Sequence, residues 1–210
     1  MWKTGVAAVA AILVTLPVFA HDGVDHGKGS EGHHENVSAS AGTYIAEPTH
    51  AYITFTYNHL GFANPTLAFR KFDATIDFNP DRPDESTVEA VIDAASIESL
   101  VPALNEHLRA PDLFDVEKFP EITFRSTGAL KISSETGKLS GDLTIKGITK
   151  PVTLDVTLNK AAVNPISKNE TLGISATAEL LRSDWELDAY APAVSDEVQL
   201  RLEIEFAKIK

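Results

Sequence analysis

Val198-Gln199-Leu200-Arg201-Leu202-Glu203-Ile204-Glu205-Phe206 alternates apolar and polar side chains without interruption. A period of two belongs to a β-strand with one dry and one wet face, because successive side chains of an extended backbone point to opposite sides. Working back along the chain, Val152, Leu154, Val156 and Leu158 alternate with Thr153, Asp155 and Thr157, and Ile174, Ala176, Ala178 and Leu180 repeat the pattern. Three groups follow it from Ala51 onward: Ile53, Phe55 and Tyr57; Phe72, Ala74, Ile76 and Phe78; and Val88, Ala90 and Ile92. Ile122 and Phe124, then Leu139, Leu143 and Ile145 with Gly141 between them, complete about eight strands.

Turn chemistry separates these runs. Asn79-Pro80-Asp81-Arg82-Pro83-Asp84, Ser133-Ser134-Glu135-Thr136-Gly137 and the stretch from Asn164-Pro165 to Asn169 are rich in the residues that reverse a chain. Such short links make neighbouring strands antiparallel. The expected fold is all-β, an antiparallel eight-stranded barrel, because closure leaves no long edge to recruit another chain. A barrel of that size has an interior that side chains can fill or that can hold one small ligand, and alternation alone does not separate the two.

One segment breaks the pattern. Pro102 opens a helical turn, Leu104 and Leu108 lie four apart on one face, and Pro111 prevents continuation. Leu113 and Phe114 extend the apolar surface, and this short helical insert reads either as a plug for one barrel end or as a cover over a ligand.

The first part of the chain differs from the rest. Lys3, the apolar run from Gly5 to Leu16 and the small-residue site at Val18-Phe19-Ala20 make residues 1–20 a secretory signal peptide. Residues 21–42 hold His21, His26, His33 and His34 among acidic residues, Gly and Ser, with too few apolar side chains to order themselves, so a flexible leader is expected before a domain spanning 43–210. Those histidines suit weak capture of zinc, copper or nickel, although their spacing matches no metal motif. Export places the protein in the periplasm or beyond.

Charge and cysteine usage exclude several functions. Loss of Lys3 with the signal peptide takes the formal net charge from -12 to -13, which argues against nucleic acid and anionic headgroups as partners held by bulk electrostatics. The chain has no cysteine, which removes thiol catalysis, thiolate metal sites and disulfide exchange. No nucleophile elbow, phosphate-cradling loop or paired acid/base carboxylates appear, so the chain reads as a non-enzyme without a cofactor.

Several motifs in fixed order carry a family resemblance: Pro48-Thr49-His50, Asn58-His59-Leu60-Gly61, His107-Leu108-Arg109 with Asp112-Leu113-Phe114-Asp115, Phe119-Pro120-Glu121-Ile122-Thr123-Phe124, Gly141-Asp142-Leu143-Thr144-Ile145-Lys146-Gly147, Arg182-Ser183-Asp184 and Ser195-Asp196-Glu197-Val198. From about Gly42 onward the chain resembles the YceI-like family of exported, polyisoprenoid-binding proteins. The resemblance implies a lipocalin-like barrel whose apolar interior holds a polyprenyl or quinone-type lipid, or another long-chain amphiphile. Ala51, Ala68 and Trp185-Glu186 stand where the family commonly has Ser, Gly and Phe-Gly, so headgroup contacts are expected to differ.

On that reading Phe55, Phe69, Phe72, Leu104, Leu108, Leu113, Phe114, Phe124 and Trp185 are the candidate walls. His50, His59 and, on the insert, His107 are candidate donors to a headgroup, against the alternative that each bonds a nearby loop. Arg109 and Arg182 are candidates for an oxyanionic head, against ion pairs with Asp112 or Asp184 that fasten a loop. Transient contact with a membrane or membrane protein and assembly into a homodimer stay open. A metal-handling role for the leader ranks second, and lipid-modifying enzymology last.

Overall fold

The computed structural model describes residues 39–131 and 135–209. Alternation builds long strands: β1 (Gly42–His59), β2 (Thr66–Phe69), β3 (Phe72–Phe78), β4 (Thr87–Asp93) and β5 (Ile97–Glu98) precede the helix α1 (Pro102–Arg109). After it come β6 (Glu121–Lys131), β7 (Thr136–Ile145), β8 (Ile148–Val163), β9 (Glu170–Leu181) and β10 (Val194–Lys208). Every pairing is antiparallel, and the order β1-β3-β4-β6-β7-β8-β9-β10 closes where β10 returns to β1.

The ten segments make an eight-stranded wall. β1 pairs through its first half with β3 and through its second half with β2, so β2 and β3 are one wall strand interrupted at Arg70–Lys71. In the same way β4 and β5 are one strand interrupted by the 3-10 turn Ala94–Ser96, where the Asp93 carboxylate accepts from the Ala95 amide. The fold is thus the closed antiparallel barrel with one short helix that alternation predicts. Two boundaries differ. β1 begins at Gly42 rather than near Ala51, and Thr66–Phe69 is an unforeseen strand piece.

Local chemistry accounts for the tight places. β7 and β8 are joined by Lys146-Gly147, both with positive φ (50° and 73°), the two-residue turn whose twist matches the flanking strands. Gly141 lies where β7 crosses the Phe124 ring. A Cβ there would fall 2.3 Å from the ring carbon Cζ and 2.7 Å from the Arg125 carbonyl, so only glycine fits.

The barrel has two distinct ends. At one, here the helix end, lie the β1–β2 loop, α1 with the turns after it, the Lys146-Gly147 turn and the segment 182–193. The other, the hairpin end, carries the β3–β4 and β8–β9 connections and both chain termini of the described domain. There Ala39, Tyr44, Ala74, Ile76, Ala161, Leu172, Ile204 and Phe206 form a buried cluster. Ala39 to Ala41, assigned to the leader by composition, pack with the barrel: Ala39 is buried and the Ser40 amide and hydroxyl each donate to Glu170 at 2.7 Å. Residues 1–20, most of the leader, and His21, His26, His33 and His34 lie outside the described residues. No helix among the described residues is long and apolar enough to cross a membrane.

Candidate functional site

The inward positions of all the barrel strands do not meet at the axis. They enclose a cavity of about 760 Å³, in the range of ligand sites (~300–1,000 Å³), that runs from the helix end to the hairpin end. Phe72, Ala74, Ile76 and Phe78 face it from β3, Val152, Leu154, Val156 and Leu158 from β8, and Val198, Leu200, Leu202, Ile204 and Phe206 from β10. The alternation that makes the strands therefore also makes the walls, and the interior is hollow rather than filled.

Of the candidate residues, Phe55, His59, Phe69, Phe72, Leu104, Leu108, Leu113, Phe114, Phe124, Arg182 and Trp185 line the cavity. Phe69 sits between Phe55 (centroids 5.8 Å apart) and Phe114, whose ring meets it edge-on at 5.7 Å. Trp185 is buried and its indole N–H donates to the Leu143 carbonyl at 3.3 Å, so its ring is fixed against the wall.

α1 is fastened on one side and open on the other. Leu104 and Leu108 face the cavity. On the neighbouring face buried Asn105 donates to Glu98 Oε1 (2.8 Å) and accepts from the Ser99 amide (2.8 Å) and hydroxyl (2.6 Å). One turn on, the Arg109 guanidinium donates to the Ala95 (2.7 Å) and Ile97 (3.0 Å) carbonyls.

Two candidates are not brought to the cavity. Arg109 is outside its lining because its donors tie α1 to the 94–97 turn. His50 points outward, where the β1–β10 ladder is interrupted, and its Nδ1 lies 2.7 Å from Glu47 Oε2. Arg182 does line the cavity, but it neither faces a free mouth nor pairs with Asp184. Its Nε donates to the Ser195 carbonyl (2.8 Å), Nη2 to Val194 (3.0 Å), and Nη1 to Leu187 and to Ala189 (3.4 Å), clamping the segment that returns to β10. Burial pushes the Arg182 pKa down, against Asp196 and Asp188, which favour its charge.

The sequence offers His107 singly and does not reveal that it shares the helix-end mouth with Tyr190. His107 and Tyr190 line it together, their rings 5.7 Å apart and edge to face. His107 Nε2 lies 3.1 Å from Asp112 Oδ2 and 3.3 Å from the Tyr190 hydroxyl. The hydrogen bond from His107 holds the Asp112 carboxyl below the usual carboxylate range. The Asp188-Ala189-Tyr190 stretch has no period to reveal it, and Tyr190 (φ 70°) takes a backbone conformation that no local pattern demands. Around the mouth Leu60, Phe62 and Leu100 are exposed, Phe62 at 89%.

Three kinds of relatives fit this geometry. Residues 44–206 match the model of the YceI-like domain. The protein YceI of Escherichia coli O157:H7 is 31% identical over 173 residues, 79% of this chain and 90% of that protein, and its Salmonella arizonae counterpart is 31% identical over 159 residues, covering 76% and 82%. A Campylobacter jejuni YceI crystal structure superposes with a TM-score of 0.66 at 29% identity, covering 73% of this chain and 90% of that one. At lower identity, 13%, a polyisoprenoid-binding domain from Saccharophagus degradans shares the fold with a TM-score of 0.59, over 80% and 99% of the two chains.

Proposed function

We propose that this chain, which belongs to the YceI-like domain family, binds and carries an isoprenoid lipid of polyprenyl or quinone type inside its barrel. The observation that carries the proposal is the continuous apolar cavity of about 760 Å³. Water gains few hydrogen bonds against such walls, whereas a branched hydrocarbon tail loses none, and each Å² it hides from water is worth about 25 cal/mol. The Saccharophagus domain with the same fold is described as polyisoprenoid-binding, which supports the reading.

The mode of action is sequestration without covalent chemistry. The tail lies along the barrel, Leu104, Leu108, Leu113 and Phe114 cover it at the helix end, and exposed Phe62 and Leu100 meet a bilayer surface when the lipid is exchanged. Export to the periplasm through the signal peptide at residues 1–20 belongs to the same proposal. Mass spectrometry of the organic extract of protein purified from its own cells tests it. A stoichiometric prenyl lipid is expected, and repeated recovery of protein that neither contains nor takes up such a lipid overturns it.

A further inference from the structure

The cavity decides what kind of head its lipid carries, and charge is the observation that decides it. Among the described residues only two side chains with fixed positive charge line the cavity, Arg182 and Lys138. Arg182 directs its donors at the carbonyls of Leu187, Ala189, Val194 and Ser195. Lys138, at the hairpin end, is ion-paired with Asp155. Lys146, whose charge reaches Asp112, donates to the Glu186 carbonyl at 2.9 Å. Neither cation of the lining is free, while Asp112 sits at the helix-end mouth and Asp184, Glu186 and Asp188 are exposed on the segment that borders it. An anionic head placed there would lose its hydration and meet like charge, and one carboxylate cannot be paired with another.

What the mouth does offer is a hydrogen-bond donor. Asp112 only accepts, so the proton on His107 Nε2 is directed to it at 3.1 Å. With Nε2 acting as donor, the Tyr190 hydroxyl 3.3 Å away has no acceptor in that nitrogen, and its own proton is left for another acceptor at the mouth. His107 and Asp112 thereby orient a phenol donor at the helix-end mouth of the apolar barrel.

We infer that the site selects an isoprenoid lipid with an uncharged, hydrogen-bond-accepting head, such as a quinone carbonyl, over the corresponding prenyl phosphate, and that Tyr190 is the donor that reads it. The inference rests on the lipid-binding proposal above and narrows it.

Competition against a fluorescent apolar dye held in the cavity tests it, using the full mature protein and three compounds with one tail: a prenyl benzoquinone, a prenyl monophosphate and the headless prenyl hydrocarbon. Near neutral pH the quinone should displace the dye about tenfold more effectively than the phosphate. Tyr190→Phe should weaken the quinone about fivefold and leave the hydrocarbon unchanged, as loss of one hydrogen bond requires. Asp112→Asn should narrow the gap by improving the phosphate about threefold. A phosphate that binds as tightly as the quinone, or a Tyr190→Phe variant that weakens the hydrocarbon equally, overturns the inference and leaves lipid binding standing. Failure of all three compounds to displace the dye overturns the lipid-binding proposal itself.

Discussion

The helix end and the hairpin end of the barrel are built from the same strands by opposite means. At the hairpin end the strands run into short connections, and a phenol, a carboxylate and an ammonium lock the first described residues in place. Tyr44, fully buried, has its hydroxyl 2.8 Å from the Ser40 carbonyl and 3.0 Å from Glu170, while Lys208 donates to the Ala41 carbonyl at 3.0 Å. At the helix end the backbone is irregular. Of the seven non-glycine residues with positive φ among the described residues, Leu60, Leu100, Asp115, Lys146, Glu186 and Tyr190 are at the helix end, and Lys168 alone is at the other. Such conformations persist only where the surroundings over-determine them, and they gather where a protein handles something other than itself. The difference teaches that one pole is sealed by side-chain locks, whereas the other holds an irregular backbone in place with a clamp, Arg182.

The comparison can be broken most forcefully at Arg182. Arg182→Met removes the donors that gather four carbonyls, and unfolding in urea should show a loss of about 3–5 kcal/mol, since several hydrogen bonds to a charged group vanish together. A loss below about 1 kcal/mol would mean that segment 187–195 holds its course without the clamp.

Phe114→Asp and Leu108→Asp probe the cover rather than the clamp. Both side chains are only half-buried and face the cavity, so lipid retention should fall by more than tenfold while stability falls by about 1–2 kcal/mol. Equal loss of retention and stability would show that α1 and its following turn plug the barrel as core.

The hairpin end gives the smallest effects, and they should not touch the ligand. Tyr44→Phe is expected to cost about 1 kcal/mol with unchanged lipid affinity, because its ring is outside the cavity lining. Glu170 supplies the matching pH dependence. Hydrogen bonds from the Ser40 amide and hydroxyl, foremost, and from Tyr44 bring its pKa from 4.5 down to about 2. A depressed carboxylate pKa stabilises the fold above the unfolded value and loses that contribution as pH falls. The stability difference between wild type and Glu170→Gln, followed by thermal melts, should therefore be constant near neutrality and shrink as pH drops from 4.5 toward about 2.

The two poles were not equally legible. Strand faces announce themselves through Phe72 to Phe78 or Val198 to Phe206 because every second side chain must turn inward, and the same rule exposes the cavity walls in advance. The start of β1 hides because Pro48-Thr49-His50 interrupts the alternation between Tyr44 and Ile53. The break between β2 and β3 hides because two exposed residues, Arg70 and Lys71, resemble a turn. The mouth was hardest. An arginine in a sequence looks available to an anion, and only the convergence of backbone carbonyls from residues 187–195 shows where the Arg182 donors go. Tyr190 and His107, far apart in the chain, become one group only after closure brings β10 to β1.

Gly141 makes the barrel a gauge as well as a container. The Phe124 ring, itself part of the lining, occupies space that a single methyl group at 141 would claim. Any larger residue at 141 would have to displace both the ring and the Arg125 carbonyl of the neighbouring strand, so bore and wall would change together. The shape of the bore at that level is in that sense set by one absent carbon atom.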